Sequence, residues 1–68
     1  MKPRLLVKFG NTIRKLREER GLSQERLGEI AKVHRTYVGM IERAEKNITF
    51  TNIEKFAKAL KVDIKDLF

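Results

Sequence analysis

The groups in this chain best equipped to act on another molecule are hydrogen-bond donors and cations, not nucleophiles. Arg35, Thr36 and Tyr37 are consecutive. They offer a planar guanidinium fork, a hydroxyl beside a methyl, and a long phenol, which read donors and acceptors rather than break bonds. Gln24, His34, Arg43, Lys46, Asn47 and Thr51 add donors suited to anionic oxygens nearby in the chain. Cysteine is absent, there is one histidine, and no glycine-rich phosphate loop occurs. Nucleophilic, Cys/His zinc and phosphate-cradling chemistry therefore lack their residues. The adjacent carboxylates Glu18 and Glu19 fall on the wet side of an amphipathic segment and need no catalytic role. Neither an enzyme nor a metal or other cofactor is expected.

Sixty-eight residues make one small domain. Sixteen Lys and Arg against nine Asp and Glu give a formal charge of +7, a balance that suits a polyanionic partner. The charge is uneven. Residues 1–35 hold 10 basic and 4 acidic side chains, net +6, and residues 36–68 hold 6 and 5, net +1. No stretch approaches the roughly 18 apolar residues of a membrane span. The charged start lacks the apolar core of a secretion signal. A cytoplasmic or nucleoid location with no membrane partner is the expectation.

Apolar spacing predicts five helical segments and no strand. The first runs from about Pro3 to Arg20, with Phe9, Ile13 and Leu16 on one stripe and Gly21 as its stop. Ser23 caps a second, Gln24 to Ala31, with Leu27, Ile30 and Ala31 inward. Lys32-Val33-His34 breaks the chain before a third, Arg35 to about Arg43, anchored by Val38 and Ile41. Thr49 caps a fourth carrying Ile53, Phe56, Ala57 and Leu60. Asp63 caps a last short turn bearing Ile64, Leu67 and Phe68. The fold class is all-α, a compact five-helix bundle.

Ser23 to about Arg43 carries the most information. Two short helices joined by three residues must cross steeply. Gly28 gives room at the crossing, Val33 plugs the turn, and Val38 and Ile41 anchor the third helix from below. That is the packing pattern of a helix-turn-helix. With Leu22-Ser23-Gln24-Glu25, Leu27, Tyr37-Val38, Ile41-Glu42-Arg43, Ile53, Phe56-Ala57, Ala59-Leu60 and Val62, the chain resembles the lambda-repressor-like DNA-binding domain. This is the domain of phage repressors and xenobiotic-response-element regulators, and the resemblance extends from about Phe9 to Phe68. Arg35-Thr36-Tyr37 and Asn47-Ile48-Thr49 look most like the controller proteins of restriction–modification systems. Two positions depart from the family: Lys32 and Ala44 stand where glycine is usual, because the backbone there tends to need a positive φ.

The resemblance implies a sequence-specific regulator of transcription that binds double-stranded DNA. Its third helix would enter the major groove, where base edges present a donor and acceptor code. Arg35, Thr36 and Tyr37 would contact bases, with Arg35 matched to guanine O6/N7. The competing reading keeps Arg35 on solvent or phosphate and packs Tyr37 on the rim of the bundle. Gln24, His34, Arg43, Lys46, Asn47 and Thr51 would hold phosphates; the competing reading makes Lys46, Asn47 and Thr51 an ordinary polar turn and helix cap, and His34 a helix cap. Arg17 and Glu42 would form an architectural ion pair. A homodimer on a pseudo-palindrome is expected through residues 61–68, where Ile64, Leu67 and Phe68 lack cover; the alternative folds Leu67 and Phe68 back onto the core. RNA polymerase becomes a further partner if binding activates. An antitoxin or a phage-type repressor would use the same bundle. A membrane-surface or calmodulin-target helix would leave Ser23 to Leu60 without a role.

Overall fold

Each of the first four apolar stripes is helical in the computed structural model, which describes residues 2–68. The helices are α1 (Arg4–Glu19), α2 (Gln24–Ala31), α3 (Arg35–Glu42) and α4 (Phe50–Leu60). The fifth expected helix is a single 3₁₀ turn, Ile64–Leu67, so there are four α-helices and not five. Four residues cannot build repeating i→i−4 bonds, and the tighter i→i−3 pattern replaces them. Pro3 lies one residue before α1 rather than inside it.

The N-termini follow the expected polar chemistry. Ser23 Oγ accepts from the Arg26 N–H at 2.9 Å, and Thr49 Oγ1 from that of Asn52 at 3.2 Å. The C-termini share one device that the sequence states only once. All four helices end with two backward bonds around a left-handed residue, the Schellman arrangement. Leu22 N–H bonds Arg17 O at 3.1 Å, Val33 bonds Gly28 at 2.9 Å, Glu45 bonds Met40 at 2.8 Å, and Val62 bonds Ala57 at 3.0 Å. The left-handed residue is Gly21 in the first case. In the others it is Lys32, Ala44 and Lys61, at φ 62°, 57° and 59°. Each non-glycine there costs about 1–2 kcal/mol. Lys32 and Ala44 keep the family's backbone without its residue. Val33 and Val62, just beyond two of these stops, pack on the core and help to offset the strain.

Phe9, Ile13, Leu27, Val38, Phe56, Leu60 and Leu67 form the centre, each no more than 1% exposed. Leu67 is therefore a core residue, unavailable to a partner. The 3₁₀ turn folds it inward between α1 and α4. Ile30 was expected inside but is 40% exposed. The buried sector of α2 runs from Leu27 and Ala31 toward Gly28, on the opposite flank from Ile30. Gly28 is fixed by space: a Cβ there would lie 2.7 Å from Val33 O. Gly10 plays the same part between α1 and α3, where a Cβ would collide with the carbonyls of Ile41 and Glu42.

That close approach lets α1 hold the end of α3. Arg17 Nε donates to Glu42 Oε2 at 2.6 Å and Nη2 to Oε1 at 3.1 Å, a two-point fork. Its remaining Nη1 donates to Leu22 O at 2.8 Å. The side chains are only 12% and 3% exposed. The hydrogen bond to Glu42 holds the Arg17 guanidinium further toward its charged form, against the opposing effect of burial.

Two outcomes follow for stability. Replacing Lys61 by glycine removes left-handed strain at an exposed site and should stabilise the fold by about 0.5–1 kcal/mol after the entropy cost of glycine, read as a melting point a few degrees higher. Arg17→Ala strands a buried carboxylate and should destabilise by roughly 3–5 kcal/mol; an unchanged melt would show that the pair is incidental.

Candidate nucleic-acid interface

The sequence around α3 sorts its side chains by depth. Val38 and Ile41 point into the core, and Gly39 and Glu42 are buried on the flanks. Arg35 and Thr36 are exposed in the first turn, and Arg43 is exposed just past the last. A helix of eight residues is too short to hold itself in water. Its inner face and its two ends must fix it, and each end is fixed differently.

At the start, His34 is the N-cap. Its Nδ1 accepts from the Thr36 N–H at 3.0 Å, which assigns the acceptor to Nδ1 and turns Nε2 away from the helix as the potential donor. Arg35 Nη1 donates to Glu25 Oε2 at 2.7 Å, bridging the first turns of α2 and α3. Both partners are more than 60% exposed, so the pair adds little to stability. Thr36 keeps its hydroxyl and methyl on the surface.

At the middle, Tyr37 is half-buried. Its ring stacks on Phe56 with centroids 6.3 Å apart and 8° between planes. Its hydroxyl oxygen accepts from Asn52 Nδ2 at 2.9 Å, which still leaves the O–H proton to give. The rim position weighed for Tyr37 is therefore occupied, with only the hydroxyl end left to reach outward. Asn52, in the first turn of α4, was not anticipated, because nothing in the local pattern links positions fifteen residues apart.

At the end, Gln24 Nε2 donates to Glu42 Oε1 at 3.0 Å. Gln24 thus joins the Arg17–Glu42 pair, and one amide proton remains for another acceptor. Arg43 Nη1 and Gln24 Oε1 lie 3.0 and 3.5 Å from where a Gly39 side chain would begin, so the two polar groups meet over a glycine. Arg43 also pairs with Glu45 at 3.1 Å.

These contacts bring Gln24, His34, Arg35, Thr36, Tyr37 and Arg43 together around α3. Thr51 is exposed in the first turn of α4, next to the Asn52 that holds Tyr37. Lys46 and Asn47 are exposed too, but line a shallow surface with Lys2 and Pro3 at the start of α1. They are the least closely tied to the rest. Among the described residues no buried side-chain polar atom lacks a partner, and no cluster of His, Cys, Asp or Glu could hold a metal ion. No helix is long and apolar enough to cross a membrane among those residues.

A second surface differs in kind. Leu5, Leu6, Phe9, Ile48, Phe50, Ile53 and Phe68 line an apolar hollow of about 270 Å³ between the N-terminal halves of α1 and α4. Phe50 is 86%, Leu5 60% and Phe68 45% exposed, and the Phe68 ring sits 5.1 Å from that of Phe9. Phe68 is thus a rim residue of this hollow, and Ile64 is 42% exposed on the 3₁₀ turn. Sequence reading missed Leu5 and Phe50, since an apolar residue in a helix's first turn looks the same whether covered or not.

Comparison with known proteins agrees with this geometry. The helix-turn-helix family model matches residues 13–67. Control protein C.BamHI of Bacillus amyloliquefaciens is 45% identical over 60 residues, covering 87% of this chain and 74% of that one. Control protein C.SmaI of Serratia marcescens is 44% identical over 59 residues, covering 87% and 70%. The crystal structure of the restriction–modification controller protein C.AhdI from Aeromonas hydrophila superposes with a TM-score of 0.91 at 46% identity, over 93% of this chain and 96% of that one. The chain belongs to the helix-turn-helix family and, within it, to the control proteins of restriction–modification systems.

Proposed function

We propose that the protein is a sequence-specific, double-stranded-DNA-binding regulator of transcription that acts as a homodimer and controls a restriction–modification system. The observation that carries this reading is the contrast along α3. Its far end is locked by Arg17, Gln24 and Glu42, while its first turn presents Arg35 and Thr36 to solvent. A helix locked at its far end, with exposed side chains on a capped first turn, suits insertion of its tip into the major groove. Arg35 supplies the donor fork for guanine and Thr36 a hydroxyl or a methyl contact with thymine. Gln24, His34 Nε2, the Tyr37 hydroxyl, Arg43 and Thr51 supply donors to the phosphates on either side, with Lys46 and Asn47 at the periphery. The net charge of +7 favours the polyanion before any base is read. Such a protein works in the nucleoid.

One domain reads only a few base pairs, so specificity calls for two copies on half-sites roughly 34 Å apart. The apolar hollow with Phe50 and Phe68 at its rim is the surface we assign to the two-fold contact. Ile64 is exposed on the 3₁₀ turn that leads into Phe68.

Arg35→Ala should cost about 1–3 kcal/mol on the cognate duplex and relax preference at one base position, measured by selection from a random duplex pool. Equal loss on every sequence would make Arg35 a phosphate ligand, and a flat response of affinity to salt would remove the phosphate contacts as a whole. Phe50→Glu should convert the dimer to a monomer in sedimentation at micromolar concentration while leaving the monomer's helicity intact. A wild-type chain that sediments only as a monomer, with and without duplex, would sink the dimer.

A further inference from the structure

Among the described residues Glu25 is the one acidic side chain that pairs with Arg35, and neither the core nor the proposed phosphate contacts give it a role. It occupies the first turn of α2, next to Gln24, and its carboxylate is 62% exposed. An exposed pair of this kind contributes little to folding. A carboxylate beside the phosphate-facing end of α2 also opposes DNA binding through its charge. Both facts make its position unexplained by stability or by affinity.

The geometry of the contact supplies a reason. Glu25 Oε2 accepts a hydrogen bond from Arg35 Nη1 at 2.7 Å, and no other acceptor among the described residues engages this guanidinium. The Nε–H and Nη2–H edge is left unoccupied, and with Nη1 engaged it is the edge that keeps two parallel donors of the geometry that matches guanine O6 and N7. A free arginine samples many rotamers and loses that freedom on binding. An arginine held at one nitrogen has already lost part of it.

We propose that Glu25 is a positioning residue for Arg35, holding Nη1 so that the Nε/Nη2 edge faces the base, and that it thereby sets specificity rather than affinity. The proposal rests on the base-reading role of Arg35. On a matched guanine the guanidinium is shared between base and carboxylate, and both are satisfied. On a mismatched base Arg35 has no two acceptors to grip, and the carboxylate holds its Nε and Nη2 donors against the duplex without partners. The carboxylate therefore penalises wrong sequences more than the right one.

The test uses the full chain in four forms: wild type, Glu25→Gln, Arg35→Ala and the double variant. Each is titrated with the selected duplex, with that duplex changed at the Arg35-dependent base pair, and with a scrambled duplex. Glutamine keeps the length and the helix turn, and a matching melting curve confirms the fold. Glu25→Gln should bind scrambled DNA as tightly as wild type or more so. Discrimination at the one base pair should fall by about fivefold or more, on the scale of one lost oriented contact. In the Arg35→Ala background the same change should reduce discrimination no further, because Glu25 acts only through Arg35. If Glu25→Gln raises affinity equally on all three duplexes, Glu25 is a bare surface charge and the proposal is overturned while base reading by Arg35 stands. If Arg35→Ala itself leaves discrimination intact, base reading fails and the positioning role falls with it.

Discussion

The contact between Arg17 and Glu42 is the constraint on which the rest of the molecule depends. An eight-residue helix carries too few internal hydrogen bonds to persist unaided, and α3 needs its inner face and both ends held, the start by the His34 cap. The core residues Val38 and Ile41 hold the face. The two-point fork from α1, joined by Gln24 from α2, holds the far end. Gly10 makes this possible, since only a missing side chain lets α1 approach the last carbonyls of α3 closely enough for Arg17 to reach. The carboxylate of Glu42 thereby accepts from three donors, with both oxygens engaged, which is how a charge can lie buried at low cost to the fold.

With α3 held, the polar surface divides into two kinds of work. Groups bonded within the protein, such as Gln24, Tyr37 and His34, have given up part of their hydrogen-bonding capacity and keep one donor each for an outside acceptor. Arg35 and Thr36 keep most of theirs. Fixed groups suit phosphates, which recur identically along the duplex and set register. Groups with more capacity left suit base edges, which differ from pair to pair. The apolar hollow on the α1–α4 side is the surface proposed for the pairing of two such domains.

Much of this was legible in the sequence, and the exceptions have physical causes. Helix positions followed from apolar spacing and from Ser23 and Thr49 as caps, since those signals are local. The Arg17–Glu42 pair came from family resemblance, because no periodicity joins residues twenty-five apart. The left-handed backbone at Lys32 and Ala44 was anticipated only from the glycine usual there, and Lys61 carried no such signal. The sequence leaves Leu67 open between a dimer contact and the core, and the tight 3₁₀ turn takes it inside while Phe68 stays on the rim. Ile30 was expected in the core, yet Gly28 draws the buried sector to the other flank. Glu25, Asn52, Leu5 and Phe50 escaped notice because their partners, or the lack of them, are set by how helices cross.

The most direct measurement of the central claim is a map of backbone amide shifts as a selected duplex is added to isotopically labelled protein. The account predicts the largest changes from His34 to Tyr37, with further changes at Gln24 and Arg43 and around Thr51, while the centre of the core and Lys61 stay still. Changes confined to the exposed faces of α1 and the 3₁₀ turn, with the first turn of α3 unmoved, would contradict it.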